Sequence, residues 1–206
     1  MFDKETLEFF KNRFEGNLQG FEWSELQEQL LCRFLATHSR KLLSGSTDFV
    51  KDYLSESQVP ERKIQEQCID EKKLKDTLVV GDELGLIQHR CPAADFAFYS
   101  QEALEFAKRD QESNACLLQE LEMQKNRYHR IVVLQLMTQL KEWKQVQHLG
   151  EIMKRLYGSL KKKGELVVVD KILYQDDFLI HLVSMDAEIP SIQKYGSSDF
   201  LMRARP

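Results

Sequence analysis

The stretch Tyr128–Asp170 reads YHRIVVLQLMTQLKEWKQVQHLGEIMKRLYGSLKKKGELVVVD. Its middle is rich in Leu, Gln, Glu and Lys, the residue types that long helices favour. Val133, Leu136, Leu140 and Trp143 follow a 3-4-3 spacing, and Val146, Leu149, Met153, Leu156 and Leu160 follow 3-4-3-4. Such spacing places apolar side chains along one seam of a helix, where knobs-into-holes packing operates. Upstream, Leu118, Leu121, Tyr128 and Val132 extend the seam, with Lys125 at one site an apolar residue would hold. The two steps of three between Trp143 and Leu149 resemble a stammer. No proline occurs between Ala93 and Ile189. The reading predicts a mainly α fold: a helical bundle with a long helix or helical hairpin over 100–164. A continuous helix from Ala115 to Leu160 would be about 70 Å long at ~1.5 Å per residue, and would protrude as a coiled coil or form one side of the bundle.

Working outward, Gly164 is a natural helix stop. Glu165-Leu166-Val167-Val168-Val169-Asp170 is β-branched, and Ile172, Leu173, Leu179, Ile180, Leu182 and Val183 read as a docking helix within 165–185. The tail 186–206 contains Pro190 and Gly196 and reads as loose. On the other side, Leu84–Arg90 and Asp95–Tyr99 flank the turn Cys91-Pro92-Ala93-Ala94. They suggest a small β-hairpin near 86–99, or a connector over 91–99. Residues 1–90 carry four amphipathic stretches and read as a helical N-terminal domain. Phe2, Phe9, Phe10 and Phe14 form an aromatic stripe that suits core or a partner-facing strip.

The chain has 206 residues, 29 Lys plus Arg against 33 Asp plus Glu, and 42% hydrophobic residues. That composition excludes wholesale disorder. No apolar run approaches ~18 residues, so no membrane span is expected. The acidic balance argues against a dedicated polyphosphate binder, and any nucleic-acid contact must be local. The N-terminus shows no signal-peptide pattern. Cys32, Cys68, Cys91 and Cys116 are widely scattered and form no CxxC pair, so neither a zinc site nor a redox motif is expected. Reduced thiols place the chain in the cytoplasm or nucleus.

No motif carries catalytic chemistry. Gly81-Asp82-Glu83-Leu84-Gly85 lacks the third glycine of a dinucleotide fingerprint and the Lys-Ser/Thr of a phosphate loop. His89 and Cys91 lie two apart without a third orienting group. Asp82-Glu83 and Asp176-Asp177 are adjacent acids that point in different directions on a helix. Basic clusters stand out: Lys125, Arg127 and Arg130, and then Lys154, Arg155, Lys161, Lys162 and Lys163. The second either complements a helix dipole or meets an anionic surface.

The sequence therefore predicts a non-enzymatic scaffold subunit of an intracellular multiprotein assembly, such as one of the cytoskeleton, with no cofactor and no metal. It would bind other protein chains, in a homodimer or a hetero-complex, through Leu118, Leu121, Val133, Leu136, Leu140, Trp143, Val146, Leu149, Met153 and Leu156. The alternative is an adaptor containing a winged helix over 74–99, which would bind nucleic acid or a trafficking complex through Arg90 and nearby lysines.

Overall fold

A computed structural model describes residues 69, 71–82, 87–88, 91, 93–110, 114–121, 124–195 and 199–206. The first three N-terminal amphipathic stretches, the aromatic stripe, Cys32, Cys68, His89 and Arg90 lie outside these residues; the fourth stretch, expected to stay helical through Leu74 and Leu78, is described only at its end, where Leu78 stands in a strand. After a 3-10 turn over Glu71–Asp76 come strands β1 (Thr77–Val80) and β2 (Asp95–Phe98), then helix α1 (Gln101–Asp110) and strands β3 (Ala115–Leu117) and β4 (Tyr128–Leu134). Helices α2 (Leu136–Glu142) and α3 (Leu149–Gly158), strand β5 (Leu160–Lys171), helix α4 (Gln175–Ser184) and strands β6 (Glu188–Tyr195) and β7 (Asp199–Arg205) complete the order.

The strands form one seven-stranded sheet in the order β3-β2-β1-β4-β5-β7-β6. β3, β2, β1, β4 and β5 are mutually parallel, whereas β7 runs antiparallel between β5 and β6. Parallel strands require crossover connections, which place helices on the sheet faces and bury both sides of each strand. Leu78, Val80, Ile131, Val133, Leu166, Val168 and Met202 point to one face, where α2, α3 and α4 lay down Leu136, Leu140, Leu149, Met153, Leu156, Phe178 and Leu182. Val79, Phe96, Phe98, Val132, Leu134, Val167, Val169 and Leu201 point to the other, against Ala103, Leu104 and Ala107 of α1.

This architecture corrects the expected helical bundle. The segment 100–164 is no long helix. It divides into α1, β3, β4, α2, α3 and the start of β5. Ile131-Val132-Val133-Leu134 is a strand buried on both faces, and a continuous apolar run is what that position demands. Of the expected hairpin near 86–99, the described residues 87–88 are helical, and Asp95–Phe98 is strand β2, whose two neighbours β1 and β3 both run parallel to it and come from outside the hairpin. The segment 165–185 is the second half of β5 followed by α4, and the tail is the β6–β7 antiparallel pair.

Asp170, at the carboxyl end of β5, ties the sheet to α2. Its Oδ2 accepts the Met137 N–H at 2.7 Å, and its Oδ1 accepts the Thr138 hydroxyl at 2.7 Å and the Lys171 N–H at 2.9 Å. The carboxylate thus satisfies donors of the first turn of α2, the role of a helix cap supplied from a neighbouring strand. Burial pushes its carboxyl above the usual carboxylate range, with these hydrogen bonds opposing it. The folded state then holds the Asp170 proton more tightly than the unfolded chain does. Its contribution to stability therefore declines as pH rises from the unfolded value through the folded one. Asp170→Asn removes that decline. Urea denaturation of both proteins at pH 4 and pH 7 should find the wild-type advantage larger at pH 4. An advantage that grows toward pH 7 contradicts the assignment.

Candidate functional site

Ligands of open α/β sheets bind outside the carboxyl ends of the strands, where the strand order reverses. Here that point lies between β1 and β4, and Gly81 after β1, Tyr99 after β2 and Leu134 at the end of β4 meet there. β1 ends at Gly81, whose φ of 84° is a left-handed conformation that glycine adopts without strain. Its N–H donates to the Ala97 carbonyl at 2.8 Å. Asp82 is buried, and its Oδ2 accepts the N–H groups of Ile87 at 3.1 Å and Gln88 at 2.8 Å. Asp82 is thus a cap holding the next helical turn.

Tyr99 follows β2 and crosses the reversal point. Its hydroxyl donates to the Leu134 carbonyl of β4 at 2.8 Å, and its ring lies against Gly81. The same ring meets Trp143 edge-on, with centroids 5.9 Å apart and planes at 85°. Ser100 accepts the Ala103 N–H through its side chain at 3.2 Å and so starts α1. After β4, Gln135 is exposed in a left-handed conformation (φ 51°), and its N–H donates to Val169 at 2.7 Å. Non-glycine residues held there cost strain and concentrate at functional sites.

Beside Tyr99 a cavity of about 260 Å³ opens between the carboxyl ends of β2 and β3 and helices α2 and α3. Leu118, Leu140, Trp143 and Ile152 supply apolar wall, and Gln119 and Gln145 supply amides. At the mouth His148 Nδ1 lies 3.9 Å from the Glu151 carboxylate, and Arg155 donates to the Leu121 carbonyl at 2.9 Å. A slot with aromatic wall and a few amides suits a flat heteroaromatic ring whose edge needs hydrogen bonds. The end of β2 carries Phe98-Tyr99-Ser100, where a dinucleotide-binding unit has an acid for the ribose hydroxyls.

Chains of known structure share this architecture. A putative S-adenosylmethionine-dependent methyltransferase from Listeria monocytogenes matches 70% of this chain and 97% of its own, at 13% identity and a TM-score of 0.54. A TehB-like methyltransferase from Corynebacterium glutamicum, dependent on the same cofactor, matches 82% of this chain and 95% of its own, at 13% identity and a TM-score of 0.55. The fold is that of the S-adenosylmethionine-dependent methyltransferases. The (4+2)-cyclase SpnF shares it too, at 12% identity and a TM-score of 0.50 over 63% of this chain and 73% of its own. No family model and no curated protein matches the sequence. The expected helical scaffold and the winged-helix adaptor are corrected accordingly: the described residues form the α/β fold of these methyltransferase structures, neither a coiled coil nor a helical bundle.

The residues singled out in the sequence are dispersed through the fold. Leu121, Val133, Leu136, Leu140, Leu149, Met153 and Leu156 are buried in the core on the α2–α4 face, with Leu118 packed against it. Trp143 stays 39% exposed and Val146 37%, with Trp143 on the cavity wall. The basic patch is split. Lys154 is exposed on α3, and Arg155 turns to the cavity. Lys161 pairs with Asp76 at 2.5 Å, at the opposite edge of the sheet beside Lys162 and Lys163. Cys91 is buried against the α1 face and Cys116 is half-buried, and neither forms a disulfide. Asp176 and Asp177 sit in the first turn of α4, where acids complement the helix dipole. Among the described residues no three His, Cys, Asp or Glu side chains gather as a metal site, and no helix is long and apolar enough to cross a membrane.

Sequence reasoning missed Tyr99, Gln119 and Gln135. Only Gly81 carried a local signal, as the first glycine after a short apolar run.

Proposed function

We propose that this chain binds S-adenosylmethionine at the carboxyl edge of its sheet and acts as a methyltransferase. One observation carries the reading: the apolar, amide-bearing slot opens at the carboxyl ends of β2 and β3, next to the strand reversal. The adenine ring would pack against Trp143 and Leu118, and the Gln119 amide would bond its polar edge. Tyr99 forms the boundary between the slot and the tips of β1 and β4. Asp82 and Ser100 keep the surrounding loops in place through their caps. The cofactor supplies a sulfonium-bound methyl group that is already electrophilic. The chain's own task is then to hold an acceptor in line and keep water out. Exposed Gln135, beside the reversal point, is placed to orient such an acceptor. Cys91 and Cys116, the cysteines among the described residues, form no disulfide, which suits the cytoplasm or nucleus, and we assign the protein there.

Calorimetry with S-adenosylmethionine and its demethylated product tests the reading. Both should bind, and Trp143→Ala and Gln119→Ala should each weaken binding about 10-fold, which corresponds to ~1.4 kcal/mol. Heat-silent titrations with both compounds at millimolar concentration overturn it.

A further inference from the structure

The opposite, amino-terminal edge of the sheet holds a second cavity, of about 350 Å³. Arg130, Lys162, Lys163 and Arg205 line it, together with Glu165 and Glu188. The β4–β5 ladder is irregular here. Tyr128 pairs with Leu160 and Arg130 with Glu165, so five steps on β5 face two on β4. The extra residues bulge out of the ladder, and bulges re-aim side chains. Gly164 permits it: an added Cβ would stand 2.9 Å from the Lys161 carbonyl and 3.1 Å from the His129 carbonyl. The bulge leaves Lys162 and Lys163 exposed at the cavity.

Behind them the Glu165 carboxylate is only 8% exposed. It receives Arg203 at 2.7 Å, Arg205 at 3.1 Å and Arg130 at 3.3 Å. Among the described residues lining the cavity, Arg130, Lys162, Lys163 and Arg205 outnumber Glu165 and Glu188. The His129 imidazole, on the same wall, is held below its usual pKa by burial first and then by Lys73, Arg130 and Lys161.

We propose that this cavity is an anion site for a small phosphorylated ligand, held by Lys162, Lys163 and the half-exposed Arg205. Arginine and lysine donors with surplus charge match a phosphate dianion. One concave cavity, rather than a stripe along the surface, suits a single phosphate group better than a polynucleotide backbone.

The test is calorimetry at ~50 mM salt with inorganic phosphate and, separately, glycerol 3-phosphate. Both should bind if phosphate alone is recognised, and tighter binding of the ester assigns the site to a phosphomonoester. The surface double variant Lys162→Gln/Lys163→Gln should weaken either at least ~10-fold, with its melting temperature unchanged. Trp143→Ala should leave phosphate binding intact, so this site stands or falls independently of the adenosyl site. Absence of binding at 10 mM phosphate, or equal affinity in the double variant, overturns the proposal. Binding of duplex DNA with a steep salt dependence but not of phosphate overturns it in favour of a nucleic-acid face.

Discussion

Gly81→Ala is expected to cost roughly 3 kcal/mol or more of folding stability. At φ 84° a Cβ meets its own backbone, which costs ~1–2 kcal/mol for a non-glycine residue. The added methyl would also overlap the Tyr99 ring and stand 2.5 Å from the Leu134 carbonyl oxygen. Neither neighbour is free to retreat. The Tyr99 hydroxyl is bonded to that same oxygen, and the next residue, Gln135, is bonded through its N–H to Val169. Forcing extra volume into such a place adds ~1–3 kcal/mol. For a chain of this size the melting temperature should fall by about 10 °C. Gly158→Ala is the matched control, because nothing lies within 4 Å of its added Cβ and it ends helix α3. It should be neutral or stabilising by up to ~1 kcal/mol. Equal stability of Gly81→Ala and wild type would mean that Tyr99 does not lie across β1.

Glu165→Gln is the second large effect. The substitution keeps the shape and removes the charge that three guanidiniums share. Breaking a buried ion pair from one side costs ~3–5 kcal/mol. Arg205 is half exposed and counts for little, while Arg130 and Arg203 are about four-fifths buried. The expected loss is about 2–4 kcal/mol, read from urea denaturation. The same variant also removes the carboxylate that competes with an anion. Added phosphate should therefore raise its melting temperature more than that of the wild type, through linkage between binding and folding. A stability loss that phosphate does not repair would separate the ion network from any anion site.

Much of the burial was legible in the sequence. Leu136, Leu140, Leu149, Met153 and Leu156 recur at helical spacing and are core, on two helices rather than one. Val133 matched the same rhythm from a strand, because a 3-4 pattern continues by chance across a strand–helix boundary. Ile131–Leu134 and Leu166–Val169 were the strand signals. Short apolar runs of that length do not separate a buried strand from a buried helix. Scarce glycine pointed the same wrong way. This chain makes tight turns with Asn126, Gln135, Lys144 and Asp186 in left-handed conformations, so its strand and helix ends lack the usual punctuation. The absence of glycine there looked like uninterrupted helix.

The candidate sites were less legible than the core. Tyr99, Gly81 and Leu134 meet only because β1 pairs with both β2 and β4. Glu165 meets Arg130, Arg203 and Arg205 only because β5 is flanked by β4 and β7. By itself the sequence determined which residues leave water and where charge accumulates, because side-chain polarity is a property of each residue and its near neighbours. The tertiary structure alone decided the parallel strand order, the crevice beneath Tyr99 and the cation-ringed carboxylate. Strand pairing is a hydrogen-bonded contract between distant segments, and no local periodicity records which segment will be the partner.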